Sequence, residues 1–279
     1  MRPDHCIANL CAALDVTRSG YHAWLSASPS EREQSDAALT LKIQAIHARH
    51  KGRYGAPRIE EDLRTKGDCH GRKRVARLMK EQGLRPHCPH QFVPQTTDSN
   101  HDEPIAPNRL AEEPAPQKPN QIWVSDLTYV STEEGWLYVA VIMDLWSRRV
   151  IGWSTGASLE ASLVLSALQM ALRHRRPAAG LLHHSDRGIQ YASAEHRAAL
   201  KFAGIEPSMS RTANPYDNAH MESFMATYKR ECVGLSGGYI SRAEGTADFF
   251  EYVESYYNRE RIHSALGYKT PVDFENQLN

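Results

Sequence analysis

Three acidic residues, Asp126, Asp186 and Glu222, have the surroundings expected of metal ligands. Asp126 lies in WVSDLTYV, Asp186 in HHSDRGIQY and Glu222 in NPYDNAHMESF. Carboxylates brought together repel one another, and a divalent cation removes that repulsion. Two such ions about 4 Å apart activate an oxygen nucleophile, stabilise the leaving oxygen and neutralise a phosphate. If the three residues converge, we expect a metal-dependent enzyme that acts on phosphodiesters.

The segments that must position these residues begin at Gln121. IWVSDLTYVST is rich in β-branched and aromatic residues and predicts a strand, and WLYVAVIMDLW predicts a central strand buried on both faces. RRVIGWSTG predicts a third strand after a tight turn at Ser147 and Arg148. GLLHHSD and IEPSMS predict the fourth and fifth strands. Helices are predicted over residues 159–175, 194–203, 217–233 and 242–258.

The element order β-β-β-α-β-α-β-α predicts a ribonuclease H-like α/β core with a five-stranded mixed sheet and flanking helices. Asp126 then lies in the middle of the first strand and Asp186 at the carboxyl end of the neighbouring fourth strand, where open α/β sheets place their sites. A charged residue inside an apolar strand is unusual unless it is paired or ligating. Asp186 alone could be a turn aspartate, and Glu222 alone could be an ordinary helix glutamate. The prediction therefore depends on all three acids occurring together in this order and spacing.

Several neighbours of the three carboxylates could contact nucleic acid. Asn218 and Glu222 are four residues apart on one predicted helix face, and Lys229 lies two turns further along that face. His184 points to the same side of its strand as Asp186. Gln190 begins the loop that follows. We therefore predict DNA contacts by Lys229, Asn218, His184 and Gln190.

The upstream region predicts a second nucleic-acid surface. Residues 42–85 carry 13 lysines and arginines against 5 acidic residues, although the whole chain has a formal net charge of zero. Helical patterns over residues 36–50, 56–66 and 71–82, separated by glycine-containing turns, predict a helix-turn-helix. The last of these helices presents basic side chains where a recognition helix contacts DNA. They are Arg72, Lys73, Arg74 and Arg77.

The predicted organisation has four parts: a helical lead-in over residues 1–34, a helix-turn-helix domain over 35–94, a proline-rich mobile linker over 95–120, and the catalytic core with a C-terminal helical extension over 121–279. The chain shows neither a signal peptide nor an apolar run of the roughly 18 residues that a membrane span requires. We therefore expect a cytoplasmic protein without membrane contact.

Cysteine and histidine residues near the predicted linker offer possible ligands for a zinc ion. Cys69 and His70 are followed by His87, Cys88 and His90. Their spacing matches no common zinc finger, so the preferred interpretation is a basic surface that happens to contain them. Five scattered cysteines in a reducing compartment do not predict a disulfide framework.

The motifs around the three carboxylates resemble those of insertion-sequence transposases of the IS-three family. DLWSRRVIGWS and YYNRERIHSALGYKTPVDF extend the resemblance through the core, and VTRSGYHAWL, HKGRYGAPRIEEDL and RVARLMKEQGL extend it upstream. It covers almost the whole chain outside the linker and points to the second reading-frame product, OrfB. Ile189 and His220 depart from residues that are frequent in the family, without touching the three acids.

The resemblance implies a DNA transposase with a DDE integrase core. Asp126, Asp186 and Glu222 would bind two Mg²⁺ or Mn²⁺ ions, and Lys229 matches the basic residue seven positions after the family glutamate. The enzyme would cut the element's ends and join the 3′-OH to another phosphodiester. The implied partners are double-stranded DNA, further copies of the chain in at least a dimer, and the upstream product OrfA or a fusion to it, in the bacterial nucleoid.

Two alternatives remain open at the sequence level. The chain could be a DNA-binding regulator with an inactive core, which the presence of all three acids disfavours. It could also be a simple nuclease of the ribonuclease H type, which the upstream basic region and the YNRERIHSAL segment disfavour. In the family that the chain resembles, the active transposase is usually a fusion with an upstream frame that supplies a helix-turn-helix and a leucine zipper. This sequence has no heptad repeat of adequate length, so two readings stay open: a catalytic portion that needs the fused form, and a chain that acts alone.

Overall fold

The structure, a computed structural model, describes residues 6–87, 103–211, 215–233, 235 and 238–278. The chain divides into two compact units, Met1–Pro86 and His87–Asn279. Within the described residues, no helix has the length and apolar character to cross a membrane. Cys88 and His90 of the considered zinc site lie outside the described residues. The finer domain boundaries stay predictions.

The first unit consists of helices. They are α1 (Ile7–Ala13), α2 (Arg18–Ser26), α3 (Glu31–Arg49), α4 (Ala56–Thr65) and α5 (Arg72–Glu81). The last three helices enclose a small apolar core because each has buried residues at helical spacing. Its members are Leu39, Ile43, Ile46, Ile59, Leu63, Val75, Leu78 and Met79.

Helix α3 begins earlier than the sequence pattern predicts. Ser30 caps it and forms a capping box with Glu33, so the first turn starts at Glu31 and not at residue 36. The carboxylate of Asp36 accepts hydrogen bonds from Arg74 and Arg77 on α5. Asp36 therefore joins two helices of this unit.

The second unit contains a five-stranded sheet in the order β3-β2-β1-β4-β5. The strands are β1 (Ile122–Thr132), β2 (Gly135–Asp144), β3 (Val150–Gly156), β4 (Leu182–Ser185) and β5 (Glu206–Met209). β1, β2 and β3 pair antiparallel, whereas β4 pairs parallel with both β1 and β5. The predicted mixed sheet with the fourth strand beside the first is confirmed.

Helices cover both faces of this sheet. α6 (Ala161–Arg175), α7 (Ile189–Ala192) and α8 (Ala194–Phe202) lie on one face, where Trp123 and Leu127 of β1 join the apolar core. α6 comes so close to β3 that a Cβ on Gly152 would stand 2.3 Å from the carbonyl oxygen of Ala167. Successive side chains of a strand point to opposite faces, so Asp126, the neighbour of Leu127, faces the other side of the sheet.

The opposite side is covered by the C-terminal elements. The chain forms a 3₁₀ turn (Pro215–Asn218), α9 (Ala219–Tyr228) and a π-helical turn (Lys229–Val233), then α10 (Arg242–Phe250) and a second π-helical segment (Glu251–Tyr257). It ends with a 3₁₀ turn (Ser264–Leu266), α11 (Pro271–Glu275) and a last 3₁₀ turn (Asn276–Leu278). The two long helices predicted here thus each change to π geometry before they end.

Part of the segment predicted as a mobile linker is bound to the sheet. The amides of Arg109 and Leu110 donate to the hydroxyl of Ser208 on β5, at 3.0 and 3.2 Å. The guanidinium of Arg109 also pairs with Glu206. The prediction of mobility is therefore wrong for this stretch, because β5 is an edge strand and the segment satisfies polar groups along it.

Candidate active site

Asp126 lies on β1, and Asp186 directly follows the carboxyl end of the neighbouring parallel strand β4. Val124 of β1 is opposite His184 of β4, so Asp126 and Asp186 each follow two residues beyond that pair. The amide of Leu127 donates to Asp126 at 2.8 Å, and the amide of Gly188 donates to Asp186 at 3.0 Å. Both carboxylates are thus oriented by the backbone of their own elements.

The third carboxylate, Glu222, lies in the first turn of α9 and is exposed. The amino end of a helix carries partial positive charge, which favours an acidic side chain there. α9 packs on β1, and the side-chain amide of Asn218 donates to the carbonyl oxygen of Ser125 at 3.0 Å. This contact holds the start of α9 beside Asp126.

The electrostatics of Asp126 reflect its burial and its acidic neighbours. Burial, the largest cause, and the carboxylates of Asp186 and Glu222 together raise the pKa of Asp126 to about 8, against the opposing effects of the Leu127 amide and the ammonium of Lys229. Without a cation, the ionised form of Asp126 is therefore unfavourable at this position.

Lys229 begins the π-helical turn and lies on the Asp126 side of the sheet edge. Its Nζ is 5.6 Å from the centre of the Tyr129 ring on β1. Burial lowers the pKa of Lys229 to about 8, and the Asp126 carboxylate acts in the opposite direction. An ammonium between an aromatic ring and a carboxylate, seven residues after Glu222, is placed to contact a phosphate near the acids.

The donor set suits hard divalent cations. Carboxylate oxygens are the ligands that Mg²⁺ takes, together with water and substrate phosphate. In the part of the chain that the structure describes, no three His, Cys, Asp or Glu side chains converge closely enough to enclose one ion. Asp126, Asp186 and Glu222 would supply such carboxylate ligands.

His184, for which the sequence predicts a DNA contact, is bonded inside the protein. Its side chain is fully buried, with Nδ1 at 2.8 Å from the Ser208 hydroxyl and Nε2 at 3.0 Å from the Ser210 hydroxyl. Burial lowers its pKa to about 4. Because both ring nitrogens are engaged with β5 and the segment after it, His184 positions β4 and leaves no atom for a substrate.

Two other predicted DNA contacts are also largely buried. Gln190 donates from its side-chain amide to the carbonyl oxygen of Leu159, and Asn218 donates to Ser125. Each has only 8% of its surface exposed. Both side chains therefore hold the chain around the carboxylates in place, and direct DNA contact by either would require these bonds to open.

Tyr191, which with Gln190 follows the fourth strand and from sequence could contact DNA, is buried next to the site. It is 2% exposed, and burial raises its pKa well above the usual value, with Asp186 and Asp126 adding to the effect. The sequence signal that could have identified Tyr191 is a tyrosine shortly after an aspartate at the end of a strand. Its orientation into the sheet depends on packing against α8, which spacing alone does not give.

The predicted basic surface of α5 divides into two kinds of residue. Arg72 and Lys73 are exposed. Arg74 and Arg77 instead bond to Asp36, and Arg77 also bonds to Glu81 on its own helix. The last two guanidinium groups therefore stabilise the helical unit, and the free basic surface is smaller than the sequence predicts.

Comparisons with known proteins agree with this architecture. Residues 33–92 match an HTH-like domain, and residues 116–215 and 203–271 match integrase core domains. The chain is 44% identical over 270 residues to the insertion element IS600 uncharacterized 31 kDa protein of Shigella sonnei, covering 97% of this chain and 98% of that protein. It is 41% identical over 273 residues to the transposase InsF for insertion sequence IS3A of Escherichia coli strain K12, covering 97% and 94%.

A solved structure of the simian T-cell lymphotropic virus intasome in complex with PP2A regulatory subunit B56 gamma is also similar. It matches with a TM-score of 0.48 at 16% identity, covering 84% of this chain and 74% of that chain. An HTH-like domain joined to an integrase core implies DNA binding, and the predicted family is confirmed by the two relatives. The chain therefore belongs to the IS3 family of insertion-sequence transposases.

Proposed function

We propose that Asp126, Asp186 and Glu222 hold two Mg²⁺ or Mn²⁺ ions with which this transposase cuts the ends of its element and joins the 3′-OH to another phosphodiester. The observation that carries the assignment is the environment of Asp126, where burial and two further carboxylates oppose ionisation until a cation is bound. Bound ions supply nucleophile activation and neutralise phosphate charge.

The chain's own residues prepare this chemistry in defined ways. The backbone amides of Leu127 and Gly188 orient the two aspartates, and Asn218 fixes α9 so that Glu222 faces them. Lys229 contributes the positive charge that holds a DNA phosphate against the carboxylates. These groups are in place before DNA arrives, so little reorganisation is required when substrate binds.

The partners follow from the same proposal. The substrate is double-stranded DNA, both at the element's ends and at the target. Bringing two ends together requires two copies of the site, so the acting form is at least a dimer on DNA. The upstream product OrfA, or a fusion to it, would add further contacts to the ends in the bacterial nucleoid.

The function is tested with a labelled duplex carrying the element's end. With Mg²⁺, the protein is expected to release a 3′-OH at the end and to join that end to a second duplex. Cleavage of RNA–DNA hybrids without joining would identify a simple nuclease of the ribonuclease H type instead. DNA binding without any cleavage would identify a regulator with an inactive core.

The exposed basic residues of α5 provide a prediction for DNA binding. Replacing Arg72 and Lys73 together by alanine is expected to weaken DNA binding and to reduce the slope of log affinity against log salt by up to about two, with the unfolding midpoint unchanged. Fluorescence anisotropy across a salt series measures the slope.

The matched variant is Arg77→Ala on the same helix. Its guanidinium is bonded to Asp36 and Glu81, so its loss is expected to lower the unfolding midpoint and to change the salt slope less than the loss of the exposed pair does. If Arg77→Ala changed the salt slope as much as the loss of Arg72 and Lys73 does, the distinction between bonded and exposed basic residues on α5 would be contradicted.

A further inference from the structure

A stretch of the predicted linker, residues 104–110, lies along β5, and we call it the strap. Its attachment to the sheet centres on Ser208, whose hydroxyl accepts hydrogen bonds from the amides of Arg109 and Leu110. Ser208 has only 1% of its surface exposed. A polar group buried in this way depends on protein partners, so loss of the two strap amides would be costly for it.

The same hydroxyl begins a chain of hydrogen bonds that runs through His184 of β4. The oxygen of Ser208 accepts the two strap amides, so its own hydrogen is left to donate to Nδ1 of His184, at 2.8 Å. The other ring nitrogen, Nε2, then carries the hydrogen of the neutral ring and donates to the Ser210 hydroxyl at 3.0 Å. The Ser210 hydroxyl in turn donates to the carbonyl oxygen of Ser185 at 3.3 Å. The strap amides thus define one direction for every bond in the chain and one tautomer of His184.

The chain ends at the backbone on either side of Asp186. Ser185, the last residue of β4, accepts at its carbonyl oxygen from the Ser210 amide at 2.9 Å as well as from the Ser210 hydroxyl. Its own hydroxyl donates to the carbonyl oxygen of Asp186 at 2.9 Å. On the other side, the guanidinium of Arg187 donates to the carbonyl oxygen of Ser210 at 2.6 Å. The segment around Ser210 therefore holds the residues before and after Asp186, just beyond the end of the strand.

A cavity of about 220 Å³ lies between the strap and the sheet. Residues 104–107 line one side of it, and the rings of His183, Tyr191 and His196 are among the groups that line the other. Protein interiors are normally close-packed, and a cavity removes the contacts that would otherwise hold a covering segment in place. The attachment of the strap therefore depends strongly on its hydrogen bonds to Ser208.

We infer that the strap is a positioning element of the active site, and that Ser208 and His184 are the positioning residues through which it fixes Asp186. The inference rests on the proposed function, because Asp186 is positioned there as a metal ligand. Release of the strap takes two donors from Ser208, and the bonds through His184 then lose their fixed direction. The Asp186 carboxylate samples more orientations, which lowers its affinity for a divalent cation.

The test compares Ser208→Ala with Leu110→Pro, two variants that break the same contact from opposite sides. Leu110 is the second residue of a turn in which the Glu112 amide donates to the carbonyl oxygen of Arg109 at 3.0 Å. Proline is favoured at this position of a turn, so Leu110→Pro removes the amide hydrogen while the turn can still form. Leu110→Ala is the matched control for the side chain. Arg109→Met is the second control, since it removes the ion pair with Glu206 and keeps both strap amides.

Two measurements are made on each protein: hydrogen exchange of the backbone amides without metal, and calorimetric titration with Mn²⁺. The Gly188 amide donates to the Asp186 carboxylate and therefore reports the order of that side chain. In Ser208→Ala and Leu110→Pro, we expect the Gly188 amide to exchange about tenfold faster relative to the amides of β2, which report opening of the whole sheet. The Kd for Mn²⁺ is expected to rise about tenfold in the same two variants. Both controls should match the unsubstituted protein.

Faster exchange by the same factor at Gly188 and in β2 would show that Ser208 only stabilises the fold, and would overturn the inference. Unchanged exchange at Gly188 would overturn it too, as would an unchanged Kd for Mn²⁺ in both variants. An effect of Ser208→Ala without one of Leu110→Pro would remove the strap from the assignment. Joining by the unsubstituted protein is measured in parallel, and its absence alongside the expected exchange pattern would overturn the proposed function alone.

Discussion

Asp126→Asn is expected to abolish both end cleavage and end joining, and to raise the melting temperature of the metal-free protein. The amide would not serve as an anionic ligand, so under the proposed assignment one of the carboxylates that would hold the ions is lost, and the rate should fall by on the order of a thousandfold or more. The gain in stability follows because burial and two neighbouring carboxylates oppose the ionised form of Asp126.

Two measurements together separate this prediction from a folding defect. The cleavage and joining assay with Mg²⁺ gives the rate, and thermal melting with and without Mg²⁺ gives the stability. Mg²⁺ should raise the melting temperature of the unsubstituted protein and have a smaller effect on Asp126→Asn, since a ligand that binds only the folded state stabilises it.

Glu206→Gln provides the control for the same change of carboxylate to amide. Glu206 lies on the edge strand β5 and pairs with Arg109, with about half of its side chain exposed. We expect normal cleavage and an unchanged response to Mg²⁺. Activity that persists in Asp126→Asn would contradict the assignment of the metal ligands, whatever the melting curves show.

The sheet and its carboxylates could be predicted because they depend on local patterns. The apolar run of β2 and the β-branched and aromatic residues of β1 specify a central pair of strands, and the order of the elements that follow leaves β4 beside β1. A charged Asp126 within such a strand is a conspicuous exception. Short-range sequence therefore contains most of the information that positions the two aspartates.

The roles that were not predicted depend on contacts between residues far apart in sequence. Asp36 bonds to Arg74 and Arg77, 38 and 41 positions later, so helical periodicity could not show that these cations are engaged. His184 meets Ser208 and Ser210 only because β5 pairs with β4. A polar residue near a site has the same sequence signature whether it binds substrate or holds a strand.

The segment that follows α9 contains a buried ion pair that the sequence did not predict. Glu231, in the π-helical turn that begins with Lys229, accepts two hydrogen bonds from the guanidinium of Arg261, at 2.7 and 2.8 Å, and one from the Tyr252 hydroxyl at 3.2 Å. Both charged side chains are about 5% exposed. Burial acts to lower the pKa of Arg261, but its bonds to Glu231 outweigh burial and raise it.

Arg261→Met is expected to destabilise the protein by about 3–5 kcal/mol, because Glu231 would remain buried without its counter-charge. Urea unfolding followed by tryptophan fluorescence measures the loss. Arg109→Met is the matched control: its pair with Glu206 is about half exposed on both sides, so a change below about 1 kcal/mol is expected. A similarly small effect at Arg261 would mean that Glu231 is neutral or hydrated in the folded protein.

The double variant Glu231→Leu with Arg261→Met distinguishes the stability of the pair from its effect on the site. Removing both charges is expected to recover most of the lost stability, since buried ion pairs are replaced by apolar residues at little cost. Joining activity, measured well below the melting temperature, should recover less completely, because Glu231 and its bonds fix the π-helical turn that carries Lys229. Full recovery of activity in the double variant would show that the ion pair stabilises the fold without positioning Lys229.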